Sequence, residues 1–306
     1  MPRHLLPALA LALAAVMAPL VQAQSPADTR AADRQEETVG RYAPVNGLDL
    51  YYEVHGEGKP LLLLHGGIAA FEIFESGLPV FTPNRQVILV HLQGHGHTRD
   101  IDRPLSYEAM ADDIAALLDH LAIPKADIMG YSLGGGVATQ FAIRHPGMVD
   151  RLVVVSSGWK RDGYFPEVLE QFDRMEAMAP QIGANVARSP LAAAYPEVDW
   201  VTLFAKTGRL LAQDYDWSAK VAEIDAPTML VFADADALKP GYMAEAWQLI
   251  GGGKRDAGLD GASRPLHRFA IVPGATHYDL VRSPTVARLV EAFLSQTSSP
   301  PDGEGR

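Results

Sequence analysis

Apolar residues along the chain follow two periods. Leu48-Asp49-Leu50-Tyr51-Tyr52-Glu53-Val54 alternates, between Asn46-Gly47 and Gly56-Glu57-Gly58. This predicts one arm of an opening hairpin, with its partner around Thr38 to Pro44. Leu61 to Leu64 and Val87 to Leu92 are unbroken apolar runs, as expected of strands buried on both faces. Asp127-Ile128-Met129, Leu152 to Val155, Thr228 to Phe232 and Phe269 to Val272 predict four more short strands. Tyr107 to Leu121 is different: Met110, Ile114, Leu117, Leu118 and Leu121 recur at helical spacing, and Ser106 can cap the segment. A second helix starts near Gly135 and runs to about Arg144, stopped by His145-Pro146-Gly147. A last helix is expected from about Pro284 to Leu294.

Strands alternating with helices, most of them of the doubly buried type, predict an α/β fold with a mostly parallel sheet covered on both faces. One stretch breaks the rhythm. Between Ser156 and Pro227 no strand-like run occurs, only helical patches at Pro166 to Ala179, Asp199 to Leu211 and Trp217 to Glu223. Some 70 residues are too many for a plain connection. The organisation expected is a core of residues 38–158 and 227–296, with a small helical cap of residues 159–226 over one edge of the sheet. Trp159, Tyr164, Phe165, Trp200, Phe204, Tyr215 and Trp217 fall in the cap region and are expected to form mostly its own core. Residues 251–268 form a Gly-rich loop, and 297–306 a Ser-, Pro- and Gly-rich tail expected to be disordered.

The first 23 residues read as a leader rather than as fold. Arg3 precedes the apolar run Leu5 to Val21, and Val21-Gln22-Ala23 offers a small-x-small cleavage site. That is the layout of a secretory signal peptide, followed by a polar arm over 24–37. Export to a periplasm or beyond, without stable membrane association, is the expectation. The chain has no cysteine, and a domain of this size can bury enough core without disulfides. Its 26 Lys and Arg against 37 Asp and Glu give a net charge of −11. An acidic surface argues against nucleic acid and anionic membranes as partners.

The candidate chemistry sits on turns. Gly130-Tyr131-Ser132-Leu133-Gly134 falls where a strand ends and a helix begins, a setting that exposes a serine hydroxyl at the carboxyl edge of a sheet. Gly130 and Gly134 flank the serine where larger side chains would crowd the turn. A serine is a poor nucleophile without an adjacent base, and the base needs a carboxylate to fix its tautomer. Ala233-Asp234-Ala235-Asp236 follows one late strand, and Pro273-Gly274-Ala275-Thr276-His277 follows the other. Asp236 lies further into its loop and can reach across; Asp234 is placed to bond turn amides. Backbone donors for an oxyanion are expected from Leu133 and from Gly67, in the loop His65-Gly66-Gly67-Ile68.

These residues carry a resemblance. His65-Gly66-Gly67, Gly94-His95-Gly96-His97-Thr98, Gly130 to Gly134, and Asp236 with His277 together resemble the α/β-hydrolase fold family, over about Thr38 to Leu294. Within it the chain is similar to small serine esterases, lactonases and cofactor-free haloperoxidases. The resemblance implies Ser132 as nucleophile, Asp236 as acid, His277 as base, Gly67 and Leu133 as oxyanion donors, a small acyl substrate and no cofactor. A perhydrolase or haloperoxidase activity could use the same triad, and a non-catalytic binding protein is the third reading. His91 stands where family members often carry an acidic residue. His91, His95 and His97 have a spacing that could suggest a metal, but the loop reads as a backbone turn, so no metal is expected. The glycines around Ser132 lack the spacing of a dinucleotide loop.

Overall fold

The structure, a computed structural model, describes residues 40–296. The leader, the arm and the C-terminal tail expected from the sequence lie outside them. Eight strands form one sheet: β1 (Arg41–Val45), β2 (Leu48–His55), β3 (Lys59–Leu64), β4 (Arg85–Val90), β5 (Ala126–Tyr131), β6 (Val149–Val155), β7 (Thr228–Ala235) and β8 (Arg268–Thr276). Their order across the sheet is β1-β2-β4-β3-β5-β6-β7-β8. β1 and β2 pair antiparallel, as does β2 with β4, and every pair from β4 through β8 is parallel. The hairpin partner is thus 41–45, turning at Asn46-Gly47, where both residues take positive φ. A two-residue turn of that kind matches the twist of its strands.

Helices cover both faces. α1 (Tyr107–His120) is capped by Ser106 Oγ, which accepts from the Ala109 amide at 3.0 Å. α2 (Leu133–Arg144) lies on the same face, and its packed side includes Val137, Ala138 and Phe141. Between β6 and β7 come α3 (Pro166–Val186), α4 (Pro190–Ala194) and α5 (Trp200–Leu211), the cap helices. α3 continues through Pro180 for seven residues beyond its predicted end at Ala179. The helix expected at Trp217 shrinks to the single turn Ser218–Val221. α6 (Pro240–Leu249) follows β7, and α7 (Pro284–Leu294) closes the described chain with its predicted bounds. α3 and α5 cross closely, because a Cβ on Gly208 would come 2.5 Å from the Glu176 nitrogen.

The two ends of the parallel strands differ in chemistry. At the amino edge the starts of β3, β4 and β5 are tied by ions. Arg85 Nη1 meets the fully buried Asp127 at 2.7 Å, Arg85 Nε meets Glu291 at 2.5 Å, and Lys59 bridges Asp127 and Asp150. Desolvation raises the Asp127 carboxyl against the opposing pull of Lys59 and Arg85. At the carboxyl edge the loops after β3 and β4 are held by neutral imidazoles. His65 Nε2 accepts from the Leu92 amide at 3.1 Å, so its proton sits on Nδ1 and is donated to Gly66 O at 2.7 Å. His95 repeats the arrangement, accepting from Ile68 N at 3.2 Å and donating to Gln93 O at 2.9 Å. His91 accepts from His97 N at 3.0 Å and stacks on Phe71 at 4.2 Å between centroids.

Protonation of any of the three would turn an acceptor into a second donor facing an N–H. Burial, with neighbouring histidines, pushes His65 down to about 3 and His91 to about 2. Burial alone outweighs the hydrogen bonds that favour the charged form of His95 and leaves it at about 4. An unfolded histidine titrates near 6.5. Below that value the unfolded chain binds more protons, so stability is full above about pH 6.5 and falls as the pH drops towards these folded values. Denaturant unfolding should therefore show proton uptake by this cluster that rises from about 1.5 protons at pH 6.5, where an unfolded histidine is half protonated, to nearly three at about pH 5. A pH slope equivalent to fewer than about one proton would contradict it.

Gly134 lies where α2 meets the end of β3. A Cβ there would come 2.3 Å from Leu64 O and 2.4 Å from His65 O, both rigid backbone atoms. Gly134→Ala should cost about 1–3 kcal/mol, a fall in Tm of roughly 3–10 °C. An unchanged Tm would mean that the helix can sit further from the sheet.

Candidate active site

Four neighbouring parallel strands each deliver one polar side chain to the carboxyl edge. Ser132 follows β5, Ser156 follows β6, Asp236 follows β7 and His277 follows β8. Because β5, β6, β7 and β8 are adjacent in the sheet, the four residues converge. Ligands of open α/β sheets occupy this edge for the same reason.

Ser132 has φ +52° and ψ −119°, an unfavourable conformation for a residue with a side chain. Its amide donates to Val155 O at 2.9 Å, and its carbonyl accepts from Gly135 and Gly136 at 2.9 and 3.2 Å. Gly130 leaves the space that the turn requires, since a Cβ there would meet Gly134 O at 2.1 Å. The turn leaves Ser132 partly exposed, with Oγ 3.1 Å from His277 Nε2. His277 Nδ1 lies 3.1 Å from Asp236 Oδ1. The carboxylate at Nδ1 selects the tautomer that leaves Nε2 free to accept a proton. The Tyr131 hydroxyl donates to the His277 carbonyl at 2.6 Å and fixes the backbone of that loop.

Asp236 is 9 % exposed, and each of its oxygens accepts twice. Oδ1 accepts from His277 and, at 2.7 Å, from the Ala237 amide. Oδ2 accepts from the Ala233 amide at 2.9 Å and from the Ser156 hydroxyl. Burial alone would raise this carboxyl, but His277, through its hydrogen bond and charge, Ser156 and the Ala233 amide outweigh it and hold the group below the ordinary aspartate value. Asp234 points elsewhere: its Oδ2 accepts from the Gly274 amide at 2.9 Å and ties the two loops together.

The two expected backbone donors are also neighbours. A Cβ built on Gly67 would come 3.3 Å from Leu133 Cδ1. Leu133 opens α2, so its N–H has no carbonyl one turn back to bond. The Gly67 N–H has no acceptor among the described residues. The next peptide is pinned, with Ile68 at φ +55° donating to His95. The threonine Thr207 of α5 packs against Gly67 and brings the cap over this loop. Lys206 beside it anchors α5 to the loop after β4, bonding Asp100 at 2.6 Å and the carbonyls of Ile101 and Arg103.

Ser156 and Tyr131 were missed by sequence reasoning. A signal for Ser156 exists: it is a small polar residue directly after a buried β-branched strand, as Ser132 and Asp236 follow theirs. His91 Nδ1, both ring nitrogens of His95 and the His97 backbone N–H bond within the loops, His91 Nε2 has no partner among the described residues, and no cluster of three or more His, Cys, Asp or Glu placed to hold a metal occurs among them. A cleft of about 710 Å³ between the loop after β4 and α5, lined in part by Arg99, Asp100, Asp199 and Lys206, contains neither Ser132 nor His277. The site is therefore defined by the convergence of side chains and not by that cleft.

Comparison with known proteins agrees with the geometry. Residues 59–238 match the family model described as the alpha/beta hydrolase fold. A protein of Azorhizobium caulinodans named RutD, described as a candidate carbamate hydrolase, is 31 % identical over 252 residues, covering 76 % of this chain and 92 % of that protein. The pimeloyl-[acyl-carrier protein] methyl ester esterase of Photobacterium profundum is 31 % identical over 223 residues, 64 % of this chain and 84 % of its own. Among solved structures, the enol-lactonase of Burkholderia xenovorans superposes with a TM-score of 0.65 at 22 % identity, covering 83 % of this chain and 100 % of that one. Sheet order, strand-to-helix turn and family match lead to one statement: this chain belongs to the α/β-hydrolase fold family.

Proposed function

We propose that the protein is a serine hydrolase of carboxylic esters or closely related acyl bonds, with Ser132, His277 and Asp236 as its catalytic triad. The observation that carries this reading is the unbroken chain Ser132 Oγ, His277 Nε2, His277 Nδ1, Asp236 Oδ1, with both links at 3.1 Å. Ser132 attacks the acyl carbonyl while His277 takes its proton. Asp236 stays ionised and stabilises the imidazolium. The Gly67 and Leu133 amides, which have no acceptor among the described residues, receive the oxyanion. His277 then protonates the leaving alkoxide, and water, activated by the same base, releases the acyl group. None of these steps calls on a cofactor. The bonds in the names of the relatives above, a carbamate, a methyl ester and an enol-lactone, each contain a carbonyl open to such attack. The leader layout over residues 1–23 supports an exported enzyme.

Hydrolysis of p-nitrophenyl esters from acetate to decanoate tests the reading. Ser132→Ala should lower turnover by about 10⁴- to 10⁶-fold, since triad members act as a unit. Asp236→Asn should cost about 10⁴-fold by favouring the wrong tautomer of His277. Equal turnover by wild type and Ser132→Ala would exclude Ser132 as the nucleophile.

A further inference from the structure

Ser156 is fully buried and sits at φ +52°, one of five residues other than glycine with positive φ among those described. A glycine would take this conformation without strain. The amide of Ser156 is used in the sheet, donating to Val231 O at 2.8 Å. The turned backbone brings Oγ against both Asp236 Oδ2 and, at 3.1 Å, His277 Nδ1. A hydroxyl has one proton, and a carboxylate can only accept. The Ser156 proton therefore points at Asp236, and its lone pairs are left facing the Nδ1 proton of His277. That proton has two acceptors at the same 3.1 Å, Asp236 Oδ1 and Ser156 Oγ.

Resting on the serine-hydrolase reading above, we propose that Ser156 is a positioning residue of the triad, which holds Asp236 and His277 in line and helps the imidazole carry charge when Ser132 gives up its proton. In that step the Ser132 proton moves to Nε2 as the Oγ–carbon bond forms. The Nδ1 proton and the Ser156 proton stay where they are. The negative end of the Ser156 hydroxyl faces the ring, so it stabilises the imidazolium. The Ala233 and Ala237 amides remain as donors to Asp236 when Ser156 is replaced.

Wild type, Ser156→Ala and Ser156→Gly, assayed across pH on the p-nitrophenyl ester that wild type cleaves best, test this. Loss of a hydrogen bond to a charged group predicts a fall in kcat of about 10- to 100-fold in both variants. KM should stay within about twofold, since the residue acts through His277. The acid limb of kcat/KM should move to lower pH, because the imidazolium forms less readily. Ser156→Gly is the decisive variant. Glycine relaxes the backbone, so a serine that mattered only for strain or packing would leave Ser156→Gly at the wild-type kcat and pH profile, which would overturn the proposal. The Nδ1 proton resonance of His277 gives a readout that needs no turnover. It should shift between wild type and Ser156→Gly, and an unmoved resonance also overturns the proposal. Turnover that does not depend on Ser132 would instead sink the serine-hydrolase reading itself.

Discussion

A buried carboxylate organises this site. Removing an ionised Asp236 from water is costly unless its lone pairs are satisfied. The fold supplies four donors: two amides of its own loop, the Ser156 hydroxyl and the His277 ring. The amides come from the β7 turn, the hydroxyl from the end of β6 and the ring from the loop after β8. The need to saturate one charge thus fixes the relative positions of three strand ends. Ser132 joins them because β5 is the next strand in the sheet. Each residue is turned towards the others by its backbone. Both serines sit in the left-handed region, with φ +52°. Such strain persists where the surroundings over-determine it, which here means hydrogen bonds from both serine amides into the neighbouring strands.

The sheet separates stability from chemistry. Its amino edge is closed by Arg85, Asp127, Lys59 and Glu291, a paired network built on the buried Arg85 and Asp127 that faces away from Ser132. Its carboxyl edge holds one buried carboxylate with four donors and three neutral imidazoles. Three histidines there act as hydrogen-bond acceptors for loop amides and not as bases. His277 differs from them: its ring nitrogen is directed at a hydroxyl that opens towards the surface. The cap is tied to this edge by Lys206, and by Tyr195 bonding Glu72 in the short helix after the Gly67 loop. Cap and backbone donors are thereby mechanically joined.

Much of this was legible in the sequence, for physical reasons. Doubly buried strands such as Leu61–Leu64 leave unbroken apolar runs, and α7 begins at a proline and carries a clear amphipathic stripe. Ser132, Asp236 and His277 could be placed because each follows a strand that the pattern marks, and Asp236 was separable from Asp234 by its reach. Strand ends were read short, since β7 and β8 run on through Ala235 and Thr276, where apolar character has already ceased and pairing alone continues. α6 was missed: its buried residues, Tyr242, Met243 and Ala246, are few, and its proline start follows the acid loop without a break. Ser156 was missed because its one signal, a small polar residue directly after a buried strand, comes with no flanking motif. Its role is visible only when β6 is placed between β5 and β7. The neutral state of His65, His91 and His95 was likewise hidden, because it depends on burial and on which amide each ring faces.

The central claim is that Ser132 is a nucleophile activated by His277. A fluorophosphonate reagent reports this without knowledge of the natural substrate, because it bonds covalently to an activated serine. Intact-mass analysis of the full chain after exposure should show one adduct, mapped by peptide sequencing to Ser132. The adduct should be absent in Ser132→Ala and form far more slowly in His277→Ala. A folded wild-type protein that remains unmodified, or an adduct on another residue, would contradict the account.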